Sequence, residues 1–68
     1  MEISYQKLWV KVKENKMKKK DLESAANISS FTVSKLKNNQ PVSMSIMMRL
    51  CKVFHCDIGD ICEVIIDE

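Results

Sequence analysis

The chain has 68 residues, of which 46% are hydrophobic and 29% are charged, with one Gly and one Pro. These values predict a single helical domain over residues 1–68 and exclude a disordered tail. No apolar run approaches the roughly 18 residues of a membrane span, and the start of the chain lacks an apolar signal-peptide core, so we expect a cytoplasmic protein without a membrane partner.

The net charge of +2 conceals an uneven distribution along the chain. Residues 1–40 contain nine Lys and four acidic residues, a balance of +5, whereas residues 41–68 contain two basic and five acidic residues, a balance of −3. The first part of the chain is therefore where we expect a polyanion to bind.

The hydroxyl of Ser4 can cap the first predicted helix, which ends near Asn15. Its apolar residues follow the i, i+3, i+4, i+7 spacing of one buried face, and Val10 falls off this stripe. The stripe consists of Tyr5, Leu8, Trp9 and Val12.

A run of three lysines, Lys18–Lys20, stands where the second helix begins, with only Asp21 to offset it. The partial positive charge of a helix N-terminus opposes a lysine by about 0.3–1 kcal/mol. Either these lysines are a solvated run screened by salt, or this helix end meets an anion such as phosphate.

The turn after the second helix has a clear local signature. Asn27 tolerates the left-handed conformation of a sharp helix end, Ser29 can cap the next helix, and Ile28 can pack back between the two helices. The predicted inward residues are Leu22, Ala25, Ala26, Ile28, Val33 and Leu36, and the predicted outward residues are Ser30, Phe31, Ser34, Lys35 and Asn38. This is the layout of a helix-turn-helix.

A loop over 38–41 leads to a fourth predicted helix from Ser43 to about His55. Asp57 and Asp60 form an approximate capping box for a short fifth helix. The fourth helix has a core stripe of Met47, Leu50, Cys51 and Phe54, while Met44 and Met48 suit either core filling or a partner surface.

The last six residues, 63–68, include a β-branched run that predicts a short strand. This run either forms a dimer contact through Val64, Ile65 and Ile66 or packs back on its own helical bundle.

Three cysteines and one histidine lie within twelve positions, at Cys51, His55, Cys56 and Cys62. These four residues have the number and type of ligands for a Cys3His zinc site, but there is no CxxC pair, and two of the cysteines fall on apolar stripes. We therefore expect reduced core thiols, no metal and no cofactor, and we keep thiol redox sensing as a lesser hypothesis.

Taken together, these segments resemble the Cro/repressor-type helix-turn-helix family, often called XRE-like. The resemblance rests on the segments 8–9, 17–22, 26–29, 32–36 and 56–61. It implies an all-α, lambda-repressor-like fold of five helices, with a short C-terminal strand as an addition. It also implies DNA binding through the third helix in the major groove, as a homodimer on a palindromic operator.

Carried over residue by residue, the resemblance implies that Ser30, Phe31 and Lys35 contact bases and that Lys19, Ser29, Ser34 and Asn38 contact the DNA backbone. Lys18, Lys20 and Lys37 are weaker candidates. Four positions depart from the family pattern: Glu23 replaces the common Ala, Asn27 the turn Gly, Lys18 the Ser or Thr cap, and Phe31 a polar residue.

The function we expect is sequence-specific regulation of transcription, most simply repression by occupancy of double-stranded DNA. The alternative is a protein-interaction module on the same fold, antitoxin-like or an anti-repressor partner, that uses Phe31, the methionines and the apolar tail. We expect no enzyme and no small-molecule substrate, because His55 and Cys56 are adjacent and no third orienting group is evident.

Overall fold

The fold is organised by helix caps and by one long-range pairing of strands. The computed structural model describes residues 1–67. The described elements are β1 (Glu2–Ser4), α1 (Gln6–Glu14), α2 (Lys19–Ala26), α3 (Ser30–Lys37), α4 (Met44–Phe54), a 3₁₀ turn (Ile58–Asp60) and β2 (Glu63–Ile65). Among these residues, no helix is long and apolar enough to cross a membrane. Glu68, the last residue of the predicted apolar tail, lies outside the described part.

The prediction of five helices is wrong, because the described chain contains four α-helices and the predicted fifth is a single 3₁₀ turn. The capping contacts of Asp57 and Asp60 are present: the Ile58 amide donates to Asp57 at 2.8 Å, and the Asp57 amide donates to Asp60 at 3.0 Å. The next residue, Ile61, is fully buried, and its carbonyl accepts from the Leu8 amide at 3.1 Å. This contact with α1 is followed by an extended segment, so the helix does not continue.

The C-terminal strand pairs antiparallel with a strand at the start of the same chain. The register places Glu2 opposite Ile65, Ile3 opposite Val64 and Ser4 opposite Glu63. Strand β1 was not predicted from the sequence, because Ser4 was assigned to a helix cap. Ser4 does accept from the Gln6 amide at 3.3 Å, but the N-cap residue of α1 is Tyr5, one residue later than predicted.

One hydrophobic core joins all four helices and the 3₁₀ turn. Trp9 and Phe54 pack against it in half-buried positions, and Val10 is 49% exposed, as its place off the stripe predicts. The prediction that Ala25 faces inward is wrong, because Ala25 is exposed. The residues of α2 that are buried in the core are Leu22 and Ala26. The buried core consists of Tyr5, Leu8, Val12, Leu22, Ala26, Ile28, Val33, Leu36, Met47, Leu50 and Ile61.

All four α-helices end in the same way, with a non-glycine residue in the left-handed conformation. These residues are Lys16, Asn27, Asn39 and His55, with φ between 52° and 56°. After each one, the next amide donates to the carbonyl five residues earlier, at 2.9–3.1 Å. Asn tolerates this conformation, whereas Lys is strained in it.

Replacing Lys16 by glycine should therefore stabilise the fold. Relief of left-handed strain is worth about 1–2 kcal/mol and exceeds the extra backbone entropy of glycine, about 0.5–1 kcal/mol, so the net gain should be about 0.5–1 kcal/mol. Urea unfolding of Lys16→Gly measures this gain. The control is Lys13→Gly inside α1, which should lose roughly 0.5–1 kcal/mol; a loss in both variants would contradict the proposed strain.

Tyr5 ties the start of α1 to the loop between α3 and α4. Its side chain is fully buried, and its hydroxyl donates to the Gln40 carbonyl at 2.8 Å. Its amide donates to the Asn39 side chain at 3.2 Å. Burial, and secondarily the Cys62 thiol, raise the pKa of Tyr5.

The Tyr5→Phe variant should lose about 1 kcal/mol of stability at neutral pH, because the Gln40 carbonyl loses its donor. In the wild type, the raised pKa of Tyr5 stabilises the fold fully below the unfolded-state value of about 10, and this contribution is lost as pH rises through the folded value. The Tyr5→Phe variant has no titrating hydroxyl, so this part of the decrease in folding stability at alkaline pH should be absent from it. Urea unfolding at pH 7 and at about pH 10.5 measures the free energy of unfolding of both proteins. An equal decrease in the two proteins between these pH values would contradict a contribution from the Tyr5 hydroxyl.

Candidate nucleic-acid interface

The turn between α2 and α3 has the geometry that its sequence predicts. Asn27 is left-handed with φ of 54°, Ile28 is buried, and the Ser29 hydroxyl accepts from the Thr32 amide at 3.2 Å. The guanidinium of Arg49, on α4, also donates to the Asn27 carbonyl at 3.1 Å. This contact was not predicted from the sequence, because no local signal links residues 22 positions apart. The turn is thus stabilised by its own local contacts and by a contact from α4.

The two faces of α3 are clearly different. Val33 and Leu36 are buried, as predicted, and the predicted outward residues Ser30, Phe31, Ser34 and Asn38 are exposed. Lys35 is half-buried, and its ammonium lies 5.0 Å from the centroid of the Phe31 ring. The outward face has no acidic residue, which suits contact with a polyanion.

The start of α2 lies beside this face. Lys18 is the N-cap residue and makes no side-chain cap; instead its amide donates to the Asp21 carboxylate at 2.7 Å. Lys19, Lys20 and Asp21 are exposed. The helix thus begins within the predicted lysine run, and a single carboxylate satisfies its capping amide.

A cleft of about 390 Å³ lies between α2 and α3. It brings together four of the predicted DNA-contacting residues, namely Lys19, Ser30, Ser34 and Asn38. The cleft is also lined by Glu23, Val33 and Lys37. The other predicted residues, Ser29, Phe31 and Lys35, are not part of its lining. Lys37, a weaker candidate from sequence, thus lines the same cationic cleft as Lys19.

Lys37 acts on the protonation of Lys19 in this cleft. The pKa of Lys19 is lowered, first because its neutral amine can accept a hydrogen bond from the Lys37 ammonium and then because the two positive charges repel. Both side chains are exposed. An anion placed between two such ammonium groups would relieve their repulsion, and phosphate is the anion that nucleic acid supplies.

Asn38 is less available as a donor than sequence suggests. Its side-chain amide donates to the Ser34 carbonyl at 2.9 Å and to the Ser34 hydroxyl at 3.4 Å. Its backbone amide is also bonded within the last turn of α3. The main role of Asn38 in the free protein is therefore to close α3.

The cysteines do not form a metal centre within residues 1–67. Cys51, Cys56 and Cys62 are free, and no group of three His, Cys, Asp or Glu residues in this part could hold a metal ion. Burial raises the pKa of Cys51 and of Cys62, which reduces the thiolate fraction at neutral pH. These two thiols are thus poorly suited to redox sensing.

Comparison with known proteins agrees with this geometry. Residues 7–67 match the family model of the Cro/C1-type HTH DNA-binding domain. The chain is also similar to the solved structure of the transcriptional regulator VanUg, with a TM-score of 0.84 and 39% sequence identity, over 91% of this chain and 83% of that one. No curated protein matches the chain.

Removing the Lys37 ammonium should raise the pKa of Lys19 toward its ordinary value, because the two largest causes of its lowering come from Lys37. NMR titration of the lysine side chains in Lys37→Ala measures this change. The matched control is Lys20→Ala, which removes a neighbouring exposed charge outside the cleft lining and should leave the pKa of Lys19 nearly as it is. If the pKa of Lys19 were unchanged in Lys37→Ala, the two side chains would not interact as described.

Proposed function

This chain belongs to the Cro/C1-type, XRE-like helix-turn-helix family of DNA-binding regulators, and on that premise we propose that it represses transcription by occupying an operator. Its partner is double-stranded DNA, and membership in this family indicates a binding protein rather than an enzyme. The finer proposal concerns how the DNA is read. We propose that α3 enters the major groove, which is wide enough to admit a helix.

The observation that carries this proposal is the position of the cationic cleft beside the exposed face of α3. A helix that enters a groove brings its flanks close to the phosphates that border the groove. The lysines of the cleft, Lys19 and Lys37, are therefore proposed to bind backbone phosphate. Ser34 and Asn38 lie in the same cleft, and Ser29 caps the adjoining start of α3, where its hydroxyl also shares a hydrogen bond with the Thr32 hydroxyl at 3.1 Å.

Base contacts are proposed for the outward residues of α3. Lys35 carries donors that suit the guanine O6 and N7 acceptors, and Ser30 can donate or accept. The Phe31 ring, 70% exposed, can meet the methyl group of a thymine. These three residues occupy two successive turns of one helix, so they would sample neighbouring base pairs.

A homodimer is proposed because a dimer reads two half-sites with one recognition helix from each subunit. The surface we propose for the contact is the C-terminal strand. One edge of β2 pairs with β1, while Val64, Ile65 and Ile66 are 59%, 40% and 64% exposed. An apolar strand with an unpaired edge can pair with a second copy around a two-fold axis.

A second candidate function, a protein-interaction module, is favoured by one observation on α4. Met44 and Met48 lie one helical turn apart and are 60% and 63% exposed. Exposed methionines form adaptable binding surfaces. This function predicts weak duplex binding without sequence preference, which distinguishes it from the regulator.

Selection of duplexes from a random DNA pool should enrich a palindrome with half-sites roughly one helical turn apart. Titration of the enriched site should then show that Lys35→Ala loses about 1–3 kcal/mol and relaxes the preference at one base pair. Lys19→Ala should weaken all sequences almost equally and reduce the slope of log affinity against log salt by about 1.

The matched control for these variants is Lys13→Ala, which removes an exposed lysine from α1, outside the lining of the cleft. It should change affinity much less than Lys19→Ala. Enrichment of no sequence would remove the regulator proposal. If Lys35→Ala kept the base preference of the wild type, the surface that contacts the bases would lie elsewhere on the protein.

A further inference from the structure

Phe31 and Lys35 form a pair on the outward face of α3. They are four residues apart, so they lie one above the other on successive turns, and the Lys35 ammonium is 5.0 Å from the centroid of the Phe31 ring. This separation is within the range of a cation–π interaction. Nearby Ser34 and Lys37 are exposed, whereas Lys35 is half-buried. The lysine side chain is therefore held along the helix rather than extended freely into solvent.

The ring has little other structural role in the described part of the chain. Its side chain is 70% exposed, and it belongs neither to the core nor to the residues that pack against the core. One of its faces is occupied by the ammonium of Lys35. An exposed aromatic ring with one partner is best explained by what it does for that partner.

Restricting a lysine matters for base recognition because its four-carbon side chain is flexible and its ammonium is a point charge without a preferred plane. A lysine restrained before binding loses less conformational entropy when it meets a base edge. The attraction between the ring and the ammonium also strengthens where water is excluded, as in a filled groove. Both effects favour one position of the ammonium over the alternatives.

We infer that Phe31 is a positioning residue that acts through Lys35 and thereby sets the sharpness of recognition at the base pair that Lys35 contacts. The inference rests on the proposed function, since it concerns how the recognition face selects DNA. It differs from readout by Phe31 itself, in which the ring would determine the preference at a separate base pair through a thymine methyl group.

The test compares base preference in wild type, Phe31→Leu, Phe31→Trp and Lys35→Ala, by selection from a random duplex pool. Lys35→Ala identifies the base pair that the lysine reads. Phe31→Leu should reduce discrimination at that same base pair by about three- to tenfold, because the aromatic face is gone. Phe31→Trp should retain it, because Trp offers the best face for a cation. In the Lys35→Ala background, Phe31→Leu should have no further effect there.

A second readout in the free protein excludes a merely structural role. The Lys35 methylene protons beside the ring should show upfield NMR shifts that disappear in Phe31→Leu and persist in Phe31→Trp. Because Phe31 is exposed, both variants should keep the helical content and thermal stability of the wild type, which circular dichroism checks.

Full discrimination at the Lys35 base pair in Phe31→Leu would overturn the inference while leaving the regulator intact. Failure of the wild type to select any sequence would overturn the proposed function, and the inference with it. The two failures are therefore distinguishable within one experiment.

Discussion

The turn from Asn27 to Ser29 is the constraint on which the rest of the structure depends. The left-handed residue ends α2, the buried Ile28 fills the angle between the helices, and the Ser29 cap starts α3. Arg49 holds the carbonyl of the turn from α4. Together these contacts fix α3 relative to α2, and that relation creates both the cationic cleft and the exposed face beside it.

The cleft shows how local repulsion can serve recognition. Placing Lys19 and Lys37 together lowers the pKa of Lys19, so the free protein holds an unfavourable arrangement of charge. The energetic cost is small, because both groups are exposed and salt screens them. A bound phosphate would convert this repulsion into attraction. The face of α3 uses a different principle, in which an aromatic ring restrains a cation.

Prediction from sequence was most successful where the signals are local. The spacing of apolar residues and the caps Ser29 and Ser43 located α3 and α4 closely, and Asn27 identified the turn. Prediction failed where a distant partner decides the conformation. β1 exists only because residues 63–65 pair with it, and the fifth helix is replaced by one turn because Ile61 is fixed to α1.

The candidate site divides in the same way. The sidedness of α3 follows from its helical period, so the exposed positions were predictable. The grouping of Lys37 with Lys19 depends on the angle between two helices, and the contact of Arg49 with Asn27 joins separate parts of the chain. Neither relation leaves a trace in local sequence. The pairing of Phe31 with Lys35 has the right spacing for one helical face, but spacing alone does not establish contact.

The most direct measurement is a titration of the isotope-labelled protein with a duplex carrying the selected operator, followed through its backbone amide NMR signals. We expect the largest, salt-sensitive changes along α3 and at the start of α2, including Lys19, Ser30 and Lys37. Changes concentrated on α4 around Met44 and Met48, with α3 unaffected, would contradict DNA recognition through this face.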